Sequence, residues 1–292
     1  MINGVMSTQQ IVNAMTVDVE DYFQVSAFEK HIPKSQWDNL QHRVQDNTFR
    51  ILDLFAQHQV KATFFTLGWV AERYPEIVKR VVSEGHELAS HGYEHIRVTE
   101  QTPEQFRADI KKTKQILEDL GGQSIVGYRA ASYSIGAKNL WALQVLEEEG
   151  HLYSSSIYPV KHDLYGMPAA PRFMFQPDNT RNIFEIPITT LQILNKNMPC
   201  GGGGFFRLYP YLLSKLAYKY LNSNENQPGI FYFHPWEIDP EQPRQQNLPF
   251  KSRFRHYLNL DRVENRLNNL LNDFAWDTMQ NVFLIPKIAN PS

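Results

Sequence analysis

Short apolar runs alternate with longer amphipathic segments along most of this chain. Runs rich in β-branched and aromatic residues, typical of buried strands, occur at 14–19, 61–67, 87–90, 124–128, 152–155, 184–188 and 229–233. Segments whose apolar residues recur at helical spacing occur at 48–58, 75–83, 103–120, 139–149, 209–220 and 262–274. The alternation predicts βα units around a largely parallel sheet, which is an α/β fold.

Capping residues mark the ends of some predicted helices. Thr102, Pro103 and Gln105 form a capping-box pattern with Pro at the first helical position, so a helix should begin at residue 103. Asp261 is the predicted N-cap of the last helix. These signals fix two helix starts more firmly than periodicity alone does.

The less regular stretches bear on domain organisation. The segments 158–182 and 239–255 are rich in Pro and polar residues and are predicted to be long loops over a core. No internal repeat or low-complexity linker divides the chain. We therefore expect an unstructured lead-in over residues 1–12 and one domain over residues 13–292.

Composition excludes several classes of function. The apolar fraction of 42% supports a sizeable core, and the net charge of -2 argues against a nucleic-acid binder. The sequence contains no apolar run of about 18 residues and no recognisable signal peptide, so we expect no membrane span and a cytoplasmic location. The single cysteine, Cys200, excludes an internal disulfide. A homo-oligomer is compatible with these features.

Uncommon polar residues follow the predicted strands. Asp18 ends the first strand, Arg129 follows the fourth, and His234 ends the run GIFYF. His91 and His95, four residues apart, follow the third strand. In parallel α/β barrels the catalytic residues lie at the carboxyl ends of the strands, so these side chains are predicted to meet at one rim. Two imidazoles with a nearby carboxylate are typical of a catalytic zinc-type site.

Four ordered motifs resemble those of polysaccharide deacetylases of the carbohydrate esterase 4 type, the NodB-homology family. They are TVD at 16–18, HGYEH at 91–95, YRAASY at 128–133 and FYFHP at 231–235. The segments CGGGGFFRLY at 200–209 and SRFRHYL at 252–258 further resemble a subgroup associated with exosortase (PEP-CTERM) exopolysaccharide loci. The resemblance covers most of the chain and implies a distorted (β/α) barrel with long loops over the carboxyl rim.

The resemblance also implies roles for the residues in these motifs. Asp18 would be the general base, Arg129 would orient it, and His234 would be the general acid. His91 and His95 would be metal ligands. The implied reaction is metal-dependent removal of N-acetyl groups from a polysaccharide or its oligosaccharide precursor. The implied cofactor is a divalent cation, zinc first and cobalt or nickel as alternatives.

The chain departs from the family pattern in ways that leave two assignments open. Val19 stands where the family usually has the second of two adjacent aspartates. Glu20 is the expected third ligand because it shares a strand face with Asp18, and Asp21 is the rival if the chain already turns there. The partner of His234 is unassigned, with three candidates: Asp163, Glu237 and Asp239.

Two aromatic residues are predicted to bind the substrate, and two rival functions remain. Tyr133 and Trp236 could be stacking platforms for a sugar, and a backbone N–H near Tyr133 could stabilise an oxyanion. One rival is a catalytically silent carbohydrate-binding homologue. The other is a metal-independent amidohydrolase resembling allantoinases. The intact pair His91 and His95 argues against the second rival, because that branch tends to lose the pair.

Overall fold

The structure is a computed structural model that describes residues 10–161, 166–245 and 248–285. Within these ranges the strands are β1 Val12–Val19, β2 Thr63–Thr66, β3 Glu87–Ser90, β4 Gly127–Tyr128, β5 Tyr153–Ser154, β6 Phe184–Glu185, β7 Thr190–Ile193, β8 Lys196–Pro199, β9 Ile230–Phe233 and β10 Ala275–Asp277. The helices are α1 Val44–His58, α2 Gly68–Arg73, α3 Pro75–Ser83, α4 Pro103–Gly121, α5 Trp141–Glu148, α6 Gly203–Leu208, α7 Tyr211–Ser223, α8 Phe250–Tyr257 and α9 Val263–Asp273. Single 3-10 turns lie at Lys34–Asn39, Val98–Glu100, Ala131–Tyr133, Pro235–Ile238 and Leu260–Arg262, and a π-helical turn lies at Gln280–Leu284.

Eight of these strands form one sheet. Their order is β10-β1-β2-β3-β4-β5-β6, and β9 also pairs with β1. All of the pairings are parallel. Helices follow β2, β3 and β4 along the chain, as the alternating pattern predicted. The expected (β/α) barrel class is thus confirmed, and the carboxyl ends of the strands share one rim.

The alternation of side chains along β2 shows how the core is divided. Phe64 points to the helices, where its ring lies 6.1 Å from that of Phe55 in α1. Phe65 points to the opposite face, where its ring lies 4.0 Å below the guanidinium of Arg129. Both phenylalanines are fully buried. The inner face of the sheet therefore packs beneath the polar residues of the rim.

Several sequence-based predictions agree with these elements in detail. β3 and α3 have the predicted bounds, and α4 begins with the predicted capping box between Thr102 and Gln105. Asp261 was predicted wrongly as a cap, because it lies inside a 3-10 turn and Arg262 occupies the N-cap position of α9. β1 begins at Val12, inside the expected lead-in, while residues 1–9 lie outside the described residues. The single domain over 13–292 stays a prediction.

The chain also forms elements that the sequence did not predict. The segment 239–255 was expected to be a loop, yet its last residues enter α8. The hairpin of β7 and β8 is a separate antiparallel unit, and α6 follows it. In the described ranges, no helix has the length and apolar character that crossing a membrane requires.

Candidate metal centre

Asp18 lies at the carboxyl end of β1, in contact with a fully buried arginine. Arg129 Nη1 donates to Asp18 Oδ1 at 2.6 Å and to Thr16 Oγ1 at 2.8 Å. Its Nη2 donates to Ser155 Oγ at 3.2 Å. Burial acts to raise the pKa of Asp18, but the charge of Arg129 helps to hold it below its usual value. The carboxylate is therefore kept ionised and is aimed by a fixed guanidinium.

Glu20 turns towards the same site because the strand ends sharply. The N–H of Glu20 donates to the carbonyl of Asp18 at 3.0 Å, a tight turn around Val19. Glu20 is buried, and burial raises its pKa to about 7 despite the opposing effect of His234. Its Oε2 receives no hydrogen bond from any described residue. A buried carboxylate oxygen without a donor is suited to a cation.

His91 is held in one tautomer by the backbone. Its Nδ1 lies 2.8 Å from the carbonyl oxygen of Arg129, and a carbonyl can only accept, so Nδ1 carries the proton. The lone pair is then on Nε2. Burial lowers the pKa of His91, which keeps the ring neutral. A neutral imidazole anchored through its other nitrogen is the usual form of a histidine metal ligand.

His95 completes a cluster of three donors. Its backbone takes a left-handed conformation with φ of 55°, and its Nε2 lies 3.0 Å from Glu20 Oε2. Burial also lowers the pKa of His95, well below the usual value. One ligand atom each from Glu20, His91 and His95 lies within 4.8 Å of the others. Two neutral nitrogens and one carboxylate oxygen could hold zinc, cobalt or nickel.

Asp21, the rival third ligand, faces away from this cluster. Its Oδ2 accepts from the N–H groups of Arg43 at 2.7 Å and Val44 at 3.0 Å. Its Oδ1 accepts from the N–H of Tyr22 at 2.8 Å. The Asp21 carboxylate therefore satisfies N–H groups at the start of α1, although Asp21 is not part of that helix. The geometry thus favours Glu20 as the carboxylate of the cluster.

We expect Asp21→Ala to lower the free energy of unfolding by about 1–3 kcal/mol, because buried N–H groups at the start of α1 lose their acceptor. Urea unfolding measures the change, and zinc titration of the folded variant should match the parent. A loss of zinc binding with unchanged stability would show that Asp21, not Glu20, completes the cluster.

His234 is oriented by a carboxylate three residues later. Its Nδ1 lies 2.8 Å from Glu237 Oε1, so Nε2 faces the site, 3.6 Å from Glu20 Oε1 and 4.0 Å from Asp18 Oδ2. Burial alone would lower the pKa of His234, but the charge of Glu20, helped by Glu237 and Asp18, raises it to about 9. The other candidate partners differ: Asp239 binds Arg43 and Asn47, and Asp163 lies outside the described residues.

Glu237 is itself held by a buried arginine that the sequence did not single out. Arg207 Nε donates to Glu237 Oε2 at 2.6 Å, and Arg207 Nη1 donates to the carbonyl of His256 at 2.7 Å. Arg207 belongs to the run GGGGFFRLY, where a lone cation among apolar residues was the available signal. Arg207, Glu237 and His234 thus form a chain of charged hydrogen bonds that ends at the cluster.

The glycine run brings this arginine close to β9. A Cβ on Gly203 would lie 2.2 Å from Glu237 Oε1, and a Cβ on Gly202 would lie 2.4 Å from the ring of Tyr232. The glycine run therefore makes its close approach to β9 and to the carboxylate that binds His234.

The predicted roles of Trp236 and Tyr133 in binding the substrate stay predictions, and the burial of both residues argues against them. The Trp236 ring stacks on His234 at 5.2 Å and on His256 at 4.1 Å, both nearly parallel to it, and only 5% of the residue is exposed. Little of the Trp236 ring is therefore accessible to a sugar. Tyr133 is also buried, and its hydroxyl lies 3.4 Å from Asp18 Oδ2. The N–H of Tyr133 donates to the carbonyl of Ala130 at 3.0 Å, so the oxyanion donor predicted near Tyr133 would have to be another backbone N–H.

Comparison with known families agrees with this geometry. Residues 34–152 match the family described as "Polysaccharide deacetylase". Over this range, which is less than half of the chain, the sequence is similar to polysaccharide deacetylases. Residues 155–284 match a second family, described as "Domain of unknown function (DUF3473)". The predicted resemblance to the NodB-homology family is confirmed by the first match, whereas no comparison addresses the exosortase-associated subgroup.

Known deacetylases are similar to the chain over short segments. A peptidoglycan-N-acetylglucosamine deacetylase of Bacillus cereus is 47% identical over 75 residues, which is 26% of this chain and 27% of the relative. The chain thus spans about a quarter of the length of that relative. The sequence similarity is confined to a short segment and does not extend over either protein as a whole.

Solved structures resemble the chain over nearly its whole length. A polysaccharide deacetylase structure from Mycobacterium smegmatis has a TM-score of 0.61 at 16% identity, covering 94% of this chain and 89% of that one. The Puue allantoinase structure has a TM-score of 0.61 at 17% identity, covering 97% and 92%. At these identities the likeness establishes the fold, and it does not distinguish deacetylase from allantoinase chemistry.

The site draws on more than the range that matches polysaccharide deacetylases. His91, His95 and Arg129 lie inside the matched range 34–152, whereas Asp18 and Glu20 precede it. His234 and its supporting residues Glu237 and Arg207 lie in the domain of unknown function. The matched range alone therefore lacks one of the three clustered donors.

Proposed function

We propose that the chain hydrolyses the N-acetyl groups of an N-acetylated glycan by a metal-dependent reaction. The observation that carries this proposal is the cluster of Glu20, His91 and His95, with Asp18 and His234 beside it. A divalent cation bound there, most simply zinc and alternatively cobalt or nickel, would polarise the acetamide carbonyl and make water acidic enough to react near neutral pH. The relatives named above support an N-acetylated sugar as substrate.

The protein side chains would carry the protons. Asp18 would accept a proton from the attacking water, since Arg129 keeps its carboxylate ionised and fixed. His234 would donate a proton from Nε2 to the amide nitrogen as the carbon–nitrogen bond breaks, since its Nδ1 is anchored to Glu237. The products would be acetate and a free amino sugar. Glu237 and Arg207 would position His234 and would not touch the substrate.

The two alternative functions considered from the sequence would require different features at this site. A metal-independent, allantoinase-like enzyme would not need three convergent ligand atoms, one of them a buried oxygen without a donor. A silent carbohydrate-binding homologue would not need an ionised Asp18 facing an anchored imidazole.

Acetate release from a chitooligosaccharide tests the proposal directly. We expect activity to disappear with a chelator and to return with zinc or cobalt, because Glu20, His91 and His95 need a cation to act. The double variant His91→Ala, His95→Ala should be inactive under every metal condition. Anomalous scattering at the cluster would report occupancy and ligands in a crystal of the parent protein.

Two outcomes would contradict this function. Full activity of the double variant would favour metal-independent chemistry. Tight zinc binding with no acetate release from any N-acetylated glycan would favour the silent homologue. Asp21→Ala serves as the control, because it removes a neighbouring buried carboxylate that accepts hydrogen bonds from the N–H groups of Tyr22 and Arg43.

A further inference from the structure

Exposed apolar side chains are concentrated in two segments outside the metal centre. Eleven of the fifteen large apolar side chains that are exposed in the described ranges belong to residues 190–224 and 250–257. Leu194, at the turn between β7 and β8, is 92% exposed, and Phe250, at the start of α8, is 84% exposed. Scattered exposed apolar residues are ordinary, but a concentration of this kind marks an interaction surface.

The first of these segments and a longer stretch around the second, residues 242–260, carry only positive charge. Residues 190–224 contain four Lys and Arg residues, residues 242–260 contain another four, and neither segment contains an Asp or Glu. The whole chain has 29 basic and 31 acidic residues, so its remainder has a formal charge of -10 while these segments have +8. Two of these eight cations are paired, buried Arg207 with Glu237 and Lys215 with Asp273, whereas Lys196, Lys219 and Arg253 form no ion pair among the described residues. These three cations beside the apolar surface are therefore the ones that an anionic partner could contact.

The elements of these segments lie side by side. Hairpin β7–β8, α6 and α7 enclose an apolar groove of about 640 Å³, which is lined by Met198, Phe205, Leu213 and Tyr220 among others. α8 is tied to α6 by the hydrogen bond from Arg207 to the carbonyl of His256. We call the exposed side chains of β7–β8, α6, α7 and α8 the basic apolar face.

Helix α7 has the composition of a helix that lies in a membrane interface. Leu212, Leu213, Leu216 and Tyr220 are all exposed along one stretch of it, and Lys219 lies among them. In α8, Phe250 and Phe254 stack on one another one turn apart, next to basic residues. Leucine and aromatic side chains together with lysine and arginine are typical of helices that insert shallowly into an anionic bilayer.

We propose that the basic apolar face binds the surface of an anionic lipid bilayer. Lipid phosphates would attract the unpaired cations Lys196, Lys219 and Arg253 while the bilayer interface accepts the neighbouring apolar side chains. A second copy docked by a twofold axis would instead bring like charges together, which disfavours a dimer. A bare polyanion would match the cations but would leave Leu194 and Phe250 in water. A bilayer satisfies both the charge and the apolar side chains.

This surface adjoins the proposed catalytic centre. His256 of α8 stacks on Trp236 at 4.1 Å, and Trp236 stacks on His234 at 5.2 Å. Only the stacked rings of His256 and Trp236 would therefore separate a bilayer in contact with α8 from the imidazole of His234. Glycans held at a membrane surface would be brought close to the site, whatever reaction that site performs.

Vesicle co-sedimentation tests the proposal with the full chain. We expect binding to vesicles of phosphatidylcholine with about 30% phosphatidylglycerol, and at least about ten-fold weaker binding to pure phosphatidylcholine. Raising the salt from about 0.05 M to 0.5 M should weaken binding to the anionic vesicles, since exposed charges are then screened. The double variant Leu212→Ser, Leu216→Ser and the double variant Phe250→Ser, Phe254→Ser should each lower binding by about ten-fold.

A matched control removes similar groups elsewhere. Leu140→Ser with Lys111→Glu changes one exposed leucine and one exposed lysine outside the face and should bind vesicles like the parent. Acetate release from a soluble chitooligosaccharide and thermal unfolding should be unchanged in all of these variants. Vesicle binding needs no activity, so its outcome is separate from that of the proposed function.

Three results would overturn the bilayer proposal. The first is equal binding of parent and face variants to anionic vesicles. The second is no vesicle binding together with a dimer, by light scattering, that the face variants dissociate. The third is that the protein does not bind vesicles but binds a soluble anionic polysaccharide, and that the double variant Phe250→Ser, Phe254→Ser binds this polysaccharide like the parent.

Discussion

Replacing Asp18 with Asn is expected to lower kcat for acetate release by about a thousand-fold. An amide cannot accept the proton of the attacking water, although it can still accept the hydrogen bond from Arg129. Zinc binding should persist, because Asp18 is not one of the three clustered donors. Steady-state kinetics on a chitooligosaccharide and metal analysis of the purified variant measure both effects.

Asp21→Asn is the matched control for this experiment. Asp21 is as deeply buried as Asp18 and three residues away, but it contacts the start of α1 and not the cluster. The Asp21→Asn substitution should change the free energy of unfolding more than it changes kcat. A value of kcat for Asp18→Asn within about ten-fold of the parent would exclude Asp18 as the general base and redirect attention to Glu20.

Replacing Glu237 with Gln is expected to lower kcat by about a hundred-fold while leaving KM nearly unchanged. The amide can no longer stabilise a protonated His234, and it can present its NH₂ group to Nδ1 and favour the wrong tautomer. The variant should also be less stable by about 3–5 kcal/mol, since Arg207 is left as a buried cation without its partner. Kinetics and urea unfolding separate the two consequences.

A second substitution distinguishes positioning from simple stability. Adding Arg207→Met to Glu237→Gln removes the unpaired cation, so the double variant should be at least as stable as Glu237→Gln alone. Its kcat should remain low, because His234 still lacks a carboxylate partner. Recovery of kcat together with stability would mean that Glu237 acts only by holding the fold.

The sequence predicted the parts of the site that follow from strand order. His91, His95, Arg129 and Asp18 come directly after or at the end of predicted strands, and parallel strands end at a common rim. The choice between Glu20 and Asp21 could not be made, because it depends on a turn around one residue, Val19. A change of one residue in where a strand ends reverses which carboxylate faces the site.

The supporting residues could not be predicted because they depend on contacts between distant segments. Arg207 reaches Glu237 only because the glycine run packs against β9, a relation with no local signature. Trp236 was assigned to the substrate from its ring alone, whereas His256, twenty residues later, covers one of its faces. Helix α8 was missed because its basic and aromatic residues face solvent and show no core periodicity.

The contact between the glycine run and β9 also limits self-association. A strand at the margin of a sheet offers unpaired N–H groups to other chains, which invites aggregation. In β9 these groups are already satisfied: the N–H of Tyr232 donates to the carbonyl of Gly201 at 2.8 Å, and the N–H of Ile230 donates to Thr189 Oγ1 at 2.6 Å. The glycine run, together with Thr189 before β7, thus shields this edge of the sheet from intermolecular strand pairing.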